Sequence, residues 1–296
     1  MKLGLGTAQF GLEYGISNTA GKTSIGEVKA VLAEARKAGI GLLDTVPKYG
    51  DSEKVLGSFL SQYRDTKVVT KTPQFDKARV SAVNADGLAT MFRESLARLQ
   101  LPSVYGLLIH QADDLLAEGG EALFDAMLRL KAAKLVDKVG VSVYSGGQID
   151  RILERFEIDL IQLSLNVLDQ RLRESGHVAA LKRRGIEIHV LSAFLEGLLL
   201  MEPDSLAPYF DALKPCLKQY CTWLAEHSLS PVHGALAFLR QTDDIDYAIL
   251  GVTSVSELKE LIDAWGSATP KAPDFRHFAC SEEKYVDPRF WTLPSN

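Results

Sequence analysis

GLLDTVPKYGDSEKVLGSFLSQYRDTKVVTK, residues 41–71, contains the unit on which the fold is read. It opens on one short apolar run, residues 41–44, and closes on another, residues 67–71, with a longer segment between them. Both runs end on a charge, Asp44 and Lys71. Working outward, similar runs recur at residues 3–6, 104–110, 139–142, 160–163, 186–191 and 247–250, which makes eight candidate strands. Segments between them show helical spacing, as in Val28, Val31, Leu32 and Ala35, and again in Leu123, Met127 and Leu130. Strict alternation of strand and helix implies parallel strands joined by right-handed crossovers. Eight such units in a chain of 296 residues close into an α/β single-domain (β/α)8 TIM barrel, with an open doubly wound sheet as the competing arrangement.

No linker rich in Pro, Gly or Ser divides residues 1–296, so one domain is expected. A long insertion is expected over about 194–231, where Pro203, Pro208 and Pro215 interrupt the pattern before a helix. The tail, about 269–296, carries Pro270, Pro273, Pro288 and Pro294 among Phe275, Phe278, Tyr285, Phe290 and Trp291. Those prolines forbid a single helix, and an extended cover is expected instead.

A formal net charge of −5 gives no attraction to nucleic acid or to anionic membrane, and the one basic triplet, Lys182-Arg183-Arg184, falls where a helix end would use it. Cys216, Cys221 and Cys280 are odd in number and lack C-x-x-C spacing, which argues against a disulfide framework or a zinc site and fits a cytoplasmic location. No run of 18 apolar residues exists. Gly4-Leu5-Gly6-Thr7-Ala8-Gln9 lacks the third glycine of a dinucleotide fingerprint, and Gly21-Lys22-Thr23 has Ile16 where a phosphate loop needs glycine.

In a parallel barrel the reacting groups gather at the C-terminal strand ends. Asp44, Lys71 and His110 end three successive strands, and Tyr49 lies five residues beyond Asp44. A buried charge needs a partner, so Asp44 and Lys71 are expected to face each other. An ammonium nearby lowers the pKa of a phenol. That would suit Tyr49 to act as general acid, with His110 donating to the same oxygen.

These residues resemble the aldo/keto reductase family, through Leu-Gly-Leu-Gly-Thr-Ala at 3–8, Asp44 to Glu53 (Asp-Thr-Val-Pro-Lys-Tyr-Gly-Asp-Ser-Glu), Thr70-Lys71 and Ile109-His110-Gln111. The resemblance implies a tetrad of Asp44, Tyr49, Lys71 and His110, no metal, and hydride transfer between NADPH or NADH and a small-molecule carbonyl. It further places Thr7, Asp44, Ser142 and Gln162 against the nicotinamide half, Ser192 and Phe194 along the pyrophosphate, and Gly251, Thr253 and Ser254 at the adenosine end. The chain departs from the family pattern at Ser142-Val143, at Leu191, and in Gly251 to Glu257, where the basic residues that grip a 2′-phosphate have no counterpart short of Lys259. NADH is therefore expected to bind at least as well as NADPH. Two other readings stay open on the residues alone: a Schiff-base aldolase using Lys71, and a nicotinamide-sensing module without turnover.

Overall fold

The computed structural model describes residues 1–76, 78–267 and 274–293. Thr269, Pro270, Pro273 and Pro294 of the expected tail lie outside the described residues. Eight strands, β1 (Lys2–Gly6), β2 (Leu42–Asp44), β3 (Lys67–Lys71), β4 (Val104–Ile109), β5 (Val136–Val143), β6 (Leu160–Ser164), β7 (Glu187–Leu191) and β8 (Tyr247–Gly251), pair in sequence order. Every pairing is parallel, and β8 returns to β1 with Gly6 beside Gly251, so the barrel closes. The open sheet is thereby excluded.

The helices are α1 (Ile25–Lys37), α2 (Ser52–Leu60), α3 (Ala82–Leu99), α4 (Ala112–Leu116), α5 (Glu121–Ala132), α6 (Gly146–Arg155), α7 (Arg171–Glu174), α8 (His177–Arg183), α9 (Lys214–Glu226), α10 (Pro231–Arg240), α11 (Val255–Gly266) and α12 (Glu283–Val286). Local chemistry sets their starts: Ser24, Ser145, Ser230 and Ser254 each accept a hydrogen bond from the backbone N–H three residues on. Periodicity sets the buried face, since Val28, Val31, Leu32 and Ala35 of α1 and Leu123, Met127 and Leu130 of α5 all point inward. Inside the barrel, Leu42, Val69, Leu108, Leu160, Tyr247 and Ile249 form a separate buried cluster. The interior is therefore filled, and ligands are confined to its mouth.

Residues 194–231 form three 3-10 turns and then α9 and the start of α10. The described part of the tail is not extended. It forms turns at Phe275–Phe278 and Pro288–Phe290 around α12, because Asp274 and Asp287 each cap a turn by accepting from the backbone N–H of Arg276 and Arg289. Phe275 packs edge-on to Trp223 and Phe238, and Trp291 to Phe210. The tail thus covers the insertion and carries its last turn back to the barrel mouth.

Candidate active site

At the floor of the mouth, Lys71 Nζ donates to both carboxylate oxygens of Asp44, at 2.9 and 2.8 Å, and to the carbonyl of Thr45 at 3.3 Å. Both side chains are 2% exposed. The pair exists because β2 and β3 are adjacent and each ends on its charge. Gln162, in the middle of β6, donates its amide to Asp44 Oδ1 as well.

Tyr49 follows β2 on a short loop held from several sides. The Thr7 hydroxyl donates to the Asp44 carbonyl at 2.9 Å, while Ser52 Oγ lies 2.8 Å from both the Thr7 carbonyl and Thr7 Oγ1. Glu53 accepts from Thr70 Oγ1 and Arg98 Nε, each at 2.7 Å. Gly11 passes so close that a Cβ there would sit 1.8 Å from the Tyr49 carbonyl oxygen. The Gly-Asp-Ser-Glu continuation of the Tyr49 motif is therefore a brace that fixes the loop. Thr7, expected against the nicotinamide, borders the groove but has its hydroxyl tied to this brace.

The electrostatics correct one expectation. Burial, followed by the charges of Asp44 and Glu196 and the neighbouring Tyr144, holds the Tyr49 hydroxyl well above the ordinary phenol range. Lys71 does not lower it, because the ammonium is neutralised by Asp44, and Asp44 itself opposes a second negative charge nearby. His110 immediately follows β4. Burial, reinforced by Lys71 and Lys48, brings its imidazole down to about 3. The ring is neutral at neutral pH, and its buried Nδ1 has no partner within the protein.

Asp44 and Tyr49 line one end of a groove of about 410 Å³, within the roughly 300–1,000 Å³ typical of ligand pockets. Its other end reaches Gly251, Thr253 and Glu257. Of the residues expected along a cofactor, Thr7, Asp44, Ser142, Ser192, Phe194, Gly251 and Thr253 border this groove. Gln162 lies beneath it on Asp44, and Ser254 caps α11 by accepting from Glu257 N. Lys71 lies beneath the groove, tied to Asp44, and half-buried His110 is near enough to Lys71 to feel its charge, though neither side chain borders the groove.

Tyr14, Tyr144, Glu196 and Arg289 also border the groove and escaped the sequence reading. The Tyr14 hydroxyl donates to Glu196 Oε1 at 2.8 Å, and Ile16 N donates to the Glu196 carbonyl at 2.9 Å, so the loops after β1 and β7 meet over the groove. Ser192, Leu195, Glu196 and Gly197 all take positive φ to make that turn. Arg289, from the tail, lies 3.5 Å from the centre of the Tyr144 ring. Glu196 had a signal, as the single charge in the apolar run of residues 194–200, and Tyr144 follows the strand end directly.

The groove suits an elongated polar ligand. Gln162 Oε1, Ser164 Oγ and Gln9 Oε1 are buried acceptors without a partner within the protein. At Gly251 a Cβ would come 2.7 Å from Gln9 Oε1, so a side chain there would displace the Gln9 amide. Among the described residues no group of His, Cys, Asp and Glu could hold a metal ion, and no helix is long and apolar enough to cross a membrane.

Comparison with known proteins gives a consistent answer. Solved structures of similar fold include a putative aldo-keto reductase from Pseudomonas aeruginosa, 24% identical over 89% of this chain and 88% of that one, with a TM-score of 0.66. Another is the holo form of the aldo-keto reductase AKR11C1 from Bacillus halodurans, 20% identical over 94% and 90%, with a TM-score of 0.71. A third is the glycerol dehydrogenase AKR11B4 from Gluconobacter oxydans, 19% identical over 99% and 93%, with a TM-score of 0.70. No curated protein sequence matches the chain. The sequence model of the aldo/keto reductase family, whose enzymes use NADPH or NADH, matches residues 2–274. Because that match spans nearly the whole barrel, including the strands that end in Asp44 and Lys71, the chain belongs to the aldo/keto reductase family.

Proposed function

We propose that the protein interconverts an aldehyde, ketone or sugar carbonyl and the corresponding alcohol, with Tyr49 as general acid and His110 as hydrogen-bond donor to the reacting oxygen. The observation that carries this reading is the buried Asp44–Lys71 pair beneath a groove whose wall holds Tyr49. The nicotinamide cofactor supplies the hydride when bound. Ser142, Gln162 and Ser164 would hold its carboxamide end, with Gln162 Oε1 and Ser164 Oγ gaining the partners they lack within the protein. Ser192 and Phe194 would follow its pyrophosphate, and Gly251, Thr253 and Ser254 its adenosine.

Reduction needs one proton at the carbonyl oxygen. The raised pKa of Tyr49 keeps its hydroxyl protonated and ready to donate. His110, neutral, contributes one N–H to the same oxygen and adds no charge. The Asp44–Lys71 pair ties the end of β2, from which the Tyr49 loop departs, to the end of β3, and Asp44 also receives the Gln162 amide from β6. A Schiff base on Lys71 finds no support, since its ammonium is saturated by the two oxygens of Asp44 and by Thr45, and a nucleophilic amine must be free of its proton.

Titration with NADH and NADPH, followed by turnover on aldehydes, ketones and sugars, tests the reading. Tyr49→Phe is expected to lower kcat by about 10²- to 10⁴-fold while leaving nucleotide affinity within a few-fold of wild type. Full activity in Tyr49→Phe would remove the mechanism. Failure of both nucleotides to bind would remove the function.

A further inference from the structure

The adenosine end of the groove differs from its other end in charge. Glu257 Oε2 accepts from the backbone N–H of Thr253 at 2.7 Å, and Glu257 Oε1 accepts from the Thr253 hydroxyl at 2.7 Å. From α1, on the far side of β1, Glu27 Oε1 accepts from the backbone N–H of Val255 at 2.6 Å. Ser254 Oγ takes the N–H of Glu257. The donors at the start of α11 that would otherwise greet an anion are thus filled by the protein's own carboxylates and a hydroxyl.

This arrangement is asymmetric toward the two nicotinamide nucleotides, which differ at one place, the 2′ position of the adenosine ribose. A free ribose diol is a donor, and each oxygen of the Glu257 carboxylate keeps a lone pair beyond the bond it already accepts. A 2′-phosphate is a dianion that needs cationic donors. Arg289 is the one cation bordering the groove among the described residues, and it belongs to the opposite end, stacked on Tyr144 and paired with Asp287. Lys259 is exposed one turn into α11. Glu257 borders the groove directly, and its own ties to Thr253 aim the carboxylate at the loop that follows β8.

We infer that Glu257, which borders the groove, backed by Glu27 at the start of α11, forms an acidic filter at the adenosine end, which accepts the ribose diol of NADH and repels the 2′-phosphate of NADPH. The inference rests on the proposed nicotinamide-dependent function and assigns the cofactor that this function uses. It goes beyond a missing basic grip: absence of a grip makes the two nucleotides equal, whereas two carboxylates make them unequal. Like charges this close repel strongly at the effective dielectric constant of a protein surface, so discrimination of about 30-fold or more is expected even with partial screening.

The test is calorimetric titration of the full chain with NADH and NADPH, and with ADP-ribose and its 2′-phosphorylated form, which carry no redox chemistry. NADH and ADP-ribose are expected to bind at least about 30-fold more tightly than their 2′-phosphorylated counterparts. Glu257→Gln combined with Glu27→Gln is expected to bring the ratio to within a few-fold by strengthening the phosphorylated ligands. A purely structural role as helix caps would instead weaken all four ligands together. The wild-type protein supplies a second reading that requires no folded variant: raising salt shortens the Debye length from roughly 10 Å to roughly 3 Å and must improve NADPH relative to NADH. Equal affinities in the wild type, a ratio unmoved in the variant, or NADPH weakening relative to NADH in salt each overturn the filter while leaving the function standing. Binding of neither nucleotide overturns the function itself.

Discussion

Replacing Asp44 with Asn tests the electrostatic floor of the site most directly. In the wild type the Lys71 ammonium, 2% exposed, has both carboxylate oxygens within 2.9 Å and one carbonyl at 3.3 Å. The amide of Asp44→Asn would keep the shape and remove the charge, leaving a buried cation with neutral partners, which costs about 3–5 kcal/mol when one member of a buried pair is lost. An upper bound follows from proton chemistry. Lys71 can discharge instead, and shedding a proton of pKa about 10.4 at pH 7 costs about 1.36 kcal/mol for each of roughly 3.4 units, near 4.6 kcal/mol. At pH 9 the same bound falls to about 1.9 kcal/mol. The sign is consistent: in the variant the folded pKa of Lys71 lies below the unfolded one, the unfolded chain binds more protons, and stability rises with pH. Urea denaturation of wild type, Asp44→Asn and Asp44→Asn/Lys71→Met at both pH values is the assay. The expected result is a loss of about 3–5 kcal/mol at pH 7 that shrinks at pH 9 and is largely recovered in the double variant. A loss below about 1 kcal/mol, or a double variant no better than the single one, would refute the claim that this pair is buried and mutually dependent.

Two further outcomes follow from the same groups. Because Tyr49 is held protonated and His110 is neutral down to about 3, the pH profile of kcat for reduction is expected to stay flat over roughly pH 6 to 9, while alcohol oxidation, which needs the Tyr49 phenolate, climbs across that range; an acid limb in reduction near the ordinary His value of about 6.5 would contradict the neutral His110. At the opposite end of the barrel, burial alone would raise the Glu187 carboxyl, but hydrogen bonds from His189, Lys138 and Tyr105 bring it down to about 2. Its contribution to stability is complete above its unfolded value of about 4.3 and is lost as pH falls through the folded one, so the stability gap between wild type and Glu187→Gln should narrow between pH 5 and pH 2, and an unchanged gap would show that the cluster does not hold the charge.

The barrel was legible because parallel strands buried on both faces read as continuous apolar runs, and their number and order carried closure. Their ends were less so. β5 starts at Val136, three residues before the apolar run, because Asp137 and Lys138 sit at the polar foot of the barrel, where Lys138 pairs with Glu187. The Asp44–Lys71 pair was legible because a charge closing an apolar strand must find a partner. The acidity of Tyr49 was misjudged for a related reason: sequence places Tyr49 near both members of the pair but does not say which charge remains free, and Asp44 neutralises Lys71. The convergence of Tyr14, Glu196 and Arg289 on the groove was illegible because loop and tail geometry creates it across separations such as the 182 residues between Tyr14 and Glu196. No periodicity encodes such a contact.

The two ends of the barrel handle their polar groups in opposite ways, and the contrast separates stability from function. At the N-terminal end, Glu187 accepts from Tyr105 at 2.7 Å and from Lys138, His189 Nε2 lies 2.7 Å from it, and Lys67 sits 4.1 Å over the Tyr105 ring. Apart from His189 Nδ1, that cluster satisfies itself. At the C-terminal end the Asp44–Lys71 pair is equally complete, yet Gln9 Oε1, His110 Nδ1, Gln162 Oε1 and Ser164 Oγ are all left without a partner within the protein. Each such atom costs about 1–3 kcal/mol when left unpaired in the interior. Folding gains nothing from leaving Gln9 and Ser164 unpaired on the groove wall and Gln162 unpaired beneath it, whereas a ligand bearing amide, hydroxyl and carbonyl groups would relieve them. Stability therefore does not explain their placement, and binding does. On the proposed filter, the charge of Glu257 and Glu27 at the start of α11 would decide which nucleotide relieves them.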